Sequence, residues 1–70
     1  MEPLTHRCGS WTITLIQLHD VTLPWCVGVT KEGDLFEAVR MRGFDPRHAL
    51  RCAAEYVGAN PDDWFKEFEL

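Results

Sequence analysis

The stretch LFEAVRMRGF, Leu35–Phe44, decides the fold. Read as a helix, it starts at an Asp34/Glu37 capping box and stops at Gly43. Read as a strand, it returns from a turn at TKEGDL, where Gly33 can take the positive φ of a hairpin loop of three or four residues. The strand is the better reading. A short helix here, followed at once by a second one, would leave the two upstream strands as an isolated hairpin, which is marginal in water. The strand has one flaw: Phe36 and Ala38 fall on the opposite face from Val39 and Met41, which calls for a bulge near Glu37–Ala38.

Upstream, WTITLIQLH (Trp11–His19) is rich in β-branched and apolar residues. Trp11, Ile13 and Leu15 share one face; Thr12, Thr14, Ile16 and Leu18 share the other. LPWCVGVT (Leu23–Thr30) alternates more cleanly, with Leu23, Trp25, Val27 and Val29 against Pro24, Cys26, Gly28 and Thr30. Pro24 belongs at the start of this strand or on an edge, because it has no N–H for a ladder. HDVTLP joins the two strands as a loop, and residues 1–10 read as an irregular lead-in.

Downstream the signals are sharper. Asp45 is an N-cap, Pro46 opens a helix, and Ala49, Leu50, Ala53 and Val57 make its apolar stripe before Gly58 stops it. Asn60, Pro61, Asp62 and Asp63 repeat the start signal for a short second helix carrying Trp64, Phe65 and Phe68. The expected fold is therefore α+β: a three-stranded antiparallel β-meander packed by one α-helix, plus a short C-terminal helix, in the order β-β-β-α-α. The chain reads as a single small domain over residues 1–70.

The chain has 70 residues, a net charge of −4 and 26% charged residues. That charge argues against a dedicated nucleic-acid binder, which carries a basic footprint. It suits a protein whose partners are proteins. No apolar run approaches the length of a membrane span, and the N-terminal stretch lacks the pattern of a signal peptide. Cys8, Cys26 and Cys52 are an odd set with no close pairing, which points to a reducing cytoplasm.

Within this acidic chain, Arg40, Arg42, Arg47 and Arg51 gather around the strand–helix junction. Arg40 and Arg42 share a strand face, and Arg47 and Arg51 share a helix face. If the junction at Phe44–Asp45 brings the two faces together, the four guanidiniums converge on one flank suited to carboxylate or phosphate. The plain alternative is a solvated face, with Arg51 paired to Glu55 four residues on. A second candidate surface is the C-terminus. There Glu55, Asp62, Asp63, Glu67 and Glu69 could imitate a phosphate row, with dipole complementarity as the plain alternative for Asp62 and Asp63, and Trp64, Phe65 and Phe68 could anchor a partner, or simply close the core. His6, Cys8, His48 and Cys52 are of metal-ligating type but lack a C-x2-C hook, so no metal or other cofactor is assigned. No nucleophile elbow, phosphate-cradling loop or paired carboxylate motif appears, so no catalytic residue is assigned.

The expectation is a small acidic non-enzymatic module that binds a protein partner as an inhibitor or accessory factor, with a homodimer as a further option. Phage-encoded inhibitors of host machinery offer an analogy of size and charge alone. The alternative is a nucleic-acid contact made through Arg40, Arg42, Arg47 and Arg51.

Overall fold

A computed structural model describes residues 2–70 of the chain; Met1, the first residue of the expected lead-in, lies outside the described residues. Four antiparallel strands follow one another in a single sheet of order β1-β2-β3-β4: β1 (Leu4–Cys8), β2 (Trp11–Gln17), β3 (Trp25–Lys31) and β4 (Val39–Gly43). Two helices complete it, α1 (Pro46–Val57) and α2 (Pro61–Glu67). The α+β class and the order of the later elements are as the sequence indicates. The strand count is corrected from three to four, because part of the expected lead-in is β1. Its residues LTHRC hold few large apolars and so give little periodic signal. Pairing residue for residue with β2, from Leu4↔Leu15 to Cys8↔Trp11, makes them a strand.

The reading of Leu35–Phe44 holds for its second half. Strand pairing begins at Val39, and the residues before it form an open connection rather than a bulged strand or a helix. The turn opens with Asp34 N–H donating to Lys31 O at 3.0 Å, and Ala38 N–H donates to Val29 O at 2.7 Å as the chain re-enters the sheet. Ending the strand early resolves the conflict of faces: Val39 and Met41 keep the core side, and Phe36 is left in solvent.

Register determines which side chains meet the helices. Ile13, Leu15, Val27 and Val29 stand on one face and are buried with Ala49, Leu50, Ala53 and Ala54 of α1 and Trp64 and Phe65 of α2. The alanines let α1 approach β3 and β4 closely, while α2 packs against β1 and α1. Gly43, opposite Trp25 on that same face, is the point of closest approach: a Cβ there would lie 2.8 Å from the Ala49 backbone nitrogen. Asp45 caps α1 by accepting from His48 N–H at 2.8 Å, and Gly58 ends it in the left-handed region at φ 78°. Asn60 caps α2 by accepting from Asp62 N–H at 3.0 Å. Extents of 33 × 25 × 20 Å correspond to one sheet and one helical layer. Among the described residues, no helix is long and apolar enough to cross a membrane.

Candidate functional site

With both helices on one side, the other face of the sheet has no helical cover. Its side chains follow from the pairing. One row runs Thr5, Thr14, Gly28, Arg40; a second Arg7, Thr12, Thr30; a third Ile16, Cys26, Arg42. In a chain of net charge −4, these strand positions hold three arginines and no acid. The carboxylates that do reach the face come from the β3–β4 connection: Glu32 pairs with Arg7, and Glu37 with Arg40.

The Glu37–Arg40 contact is forked. Arg40 Nε and Nη2 both donate to Glu37 Oε1, at 3.0 and 2.7 Å. That hydrogen bond and the adjacent charge raise the guanidinium's pKa above its ordinary value. The carboxyl lies directly over Gly28, where a Cβ would stand 1.8 Å from Glu37 Oε2. Beside it is a groove of about 250 Å³, floored by Ile16, Leu18 and Cys26 and walled by Glu37 and Arg40. Among the described residues, Arg42 has no carboxylate partner. Its Nε and Nη2 donate to the carbonyl of Leu23 at 3.2 and 3.0 Å, tying β4 to the β2–β3 loop. Just before Glu37, Leu35 and Phe36 are 91% and 82% exposed, the most exposed large apolar side chains among the described residues.

The four arginines of the junction do not converge. Arg40 and Arg42 stand on the helix-free face, while Arg47 and Arg51 lie on α1 with the helical layer. The turn through Phe44–Asp45 carries the chain from the sheet to the helices, so residues just before and just after it face opposite ways. Arg47 and Arg51 are engaged within the fold. The Arg47 guanidinium sits 4.3 Å from the Phe65 ring centroid and donates to Leu70 O at 3.1 Å; that of Arg51 is 5.8 Å from the same ring. The Arg51–Glu55 pair expected on the helix surface is not formed among the described residues.

The C-terminal candidates divide. Trp64 is 1% exposed and Phe68 8%, so both rings close the core and neither is presented to a partner. Asp62 and Asp63 are exposed in the first turn of α2, where they complement the helix dipole. His48 Nε2 lies 3.8 Å from Cys52 Sγ on α1, but His6 and Cys8 are elsewhere, on β1 beside α2. The His6 ring meets Phe68 edge-on, with Nδ1 3.9 Å from Glu67 Oε1. Burial, then the charges of Asp63 and Glu67, pushes the Cys8 thiol pKa above its ordinary value. Among the described residues, no group of three or more His, Cys, Asp or Glu side chains is placed to hold a metal ion.

Sequence reasoning identified Arg40 and Arg42 but missed Arg7, whose strand it did not see, and Leu35 and Phe36, which it placed in a strand. The alternation in the sequence groups Thr12, Thr14 and Ile16 on one face of β2 and Cys26, Gly28 and Thr30 on one face of β3, and the pairing places both groups on the helix-free side. Known protein families, curated proteins and solved structures include none that matches this chain.

Proposed function

We propose that this protein is a non-enzymatic protein-binding module, an inhibitor or accessory factor, that docks through the helix-free face of its sheet. The observation behind this reading is the segregation of charge. An acidic chain holds Arg7, Arg40 and Arg42 on one sheet face with no acid among the strand residues beside them. Exposed Leu35 and Phe36 at the margin supply the apolar contact that a charged face lacks. Three free cysteines, Cys8, Cys26 and Cys52, suit a reducing cytoplasm as its setting.

The experiment is affinity capture from source cells, read by mass spectrometry, with R40E/R42E compared against R47Q/R51Q. The expected result is a partner held by wild type and by R47Q/R51Q and lost by R40E/R42E, with circular dichroism showing each variant folded. A partner retained by R40E/R42E removes this face from consideration. A partner lost only by R47Q/R51Q moves the site to the α1 side.

A further inference from the structure

Resting on that reading, we infer that the helix-free face receives an acidic, apolar-flanked segment of a partner protein, whose carboxylate takes the place that Glu37 now fills on Arg40. Three independent features meet there. The first is electrostatic: the charged strand residues of this face are all arginines, and the carboxylates paired with two of them, Arg7 and Arg40, reach in from the connecting loop. An acidic segment complements such a surface, whereas a basic one would be repelled.

The second is steric. Glu37 Oε2 occupies space that a side chain on any residue but glycine would take at position 28. The face thus has room for a carboxylate on Arg40, whose Nε and Nη2 both donate to a single oxygen, Oε1, of Glu37. Glu37 is the chain's own occupant of that seat. It is held by an ion pair between exposed groups, 67% and 36% accessible for Arg40 and Glu37, which is weak enough to exchange.

The third is apolar. Leu35 and Phe36 immediately precede Glu37 and are exposed, and Glu37 itself lines the groove of Ile16, Leu18 and Cys26. A segment that replaces Glu37 therefore has exposed apolar side chains within reach.

A nucleic acid fits the face less well. The strand positions of the face offer three arginines, Arg7, Arg40 and Arg42. Phosphate-backbone binding draws on many cations at once.

The test uses fluorescence anisotropy at low salt with three labelled probes: a decapeptide alternating Glu and Val, its Gln/Val counterpart, and a single-stranded DNA oligonucleotide. The Glu peptide should bind the wild-type chain and the Gln peptide should not. Glu37→Gln, which leaves Arg40 only a neutral amide oxygen as competitor, should tighten the Glu peptide roughly two- to fivefold. R40Q/R42Q should weaken it roughly tenfold. Equal binding of the Gln peptide, or no binding of the Glu peptide, overturns the acidic-partner inference. An affinity unchanged or weakened by Glu37→Gln overturns the displacement. Tighter binding of the oligonucleotide replaces the acidic segment with a nucleic acid. A partner captured through Arg40 and Arg42 that ignores the Glu peptide leaves the docking face standing and removes only its acidic chemistry.

Discussion

Gly28 and Gly43 are two small residues of one sheet with opposite tolerances. At Gly43, a methyl group would meet the backbone nitrogen and Cα of Ala49 and the His48 ring, all within 3.0 Å, and a helix backbone cannot step aside alone. Gly43→Ala should therefore cost roughly 1–3 kcal/mol of stability, the range for overpacking, measured by urea unfolding. At Gly28 the obstacle is the end of a flexible side chain, Glu37. Gly28→Ala should leave the domain folded, within about 1 kcal/mol of wild type, while expelling Glu37 from Arg40. In that background Glu37→Gln should no longer change peptide affinity. Cys8 offers a pH test. Its thiolate is disfavoured by burial and by Asp63 and Glu67, so at a given pH it should alkylate more slowly in the folded protein than in the urea-unfolded chain. The linked sign follows: the folded state holds the Cys8 proton more tightly than the unfolded chain. Stability is therefore complete below the ordinary thiol pKa and falls as pH rises through the raised one. Cys8→Ser should flatten that alkaline decline in a urea titration series.

At the scale of elements, α1 depends on its ends and on what lies across it. Asp45→Ala removes the acceptor for His48 N–H and should cost about 1 kcal/mol. R47Q removes the cation over Phe65 and should cost about 0.5–1 kcal/mol, in contrast with R42Q on the other face, which meets only a loop carbonyl. Thermal unfolding of the two variants side by side separates a structural arginine from a surface one. The short α2 persists because Trp64, Phe65 and Phe68 are buried, since seven residues give little intrinsic helical stability. Trp64→Ala should remove roughly 3–5 kcal/mol, enough to unfold a domain of this size.

At the scale of the molecule, the sheet separates two tasks. One face and both helices hold the apolar core; the other carries cations and threonines. An antiparallel sheet can leave one face to solvent, and the threonines and arginines of this one suit it to that or to a polar partner. The acidic residues of α2 and the loops keep the net charge at −4 while the helix-free face stays cationic. Raising ionic strength should therefore weaken capture of an acidic partner, and R40E/R42E should abolish that dependence along with the binding.

The sequence by itself determined the local elements wherever the signal is local. Asp45-Pro46 and Asn60-Pro61 start helices, Gly58 stops one, and the alternation from Trp11 and from Trp25 assigns each residue of β2 and β3 to a face. Caps, φ restrictions and the two-residue pleat act over a few bonds, so they are visible in a few letters. Tertiary structure alone decided three things. It made β1 a strand, because the alternation in Leu4–Cys8 is carried by His6 and Cys8 rather than by large apolar residues and shows only once the segment pairs with β2. It withdrew residues 35–38 from β4, because continuing the strand would have put its apolar residues on both faces. And it parted the four arginines, because the chain crosses from sheet to helical layer at Phe44–Asp45 and neighbours in sequence emerge on opposite sides of the core.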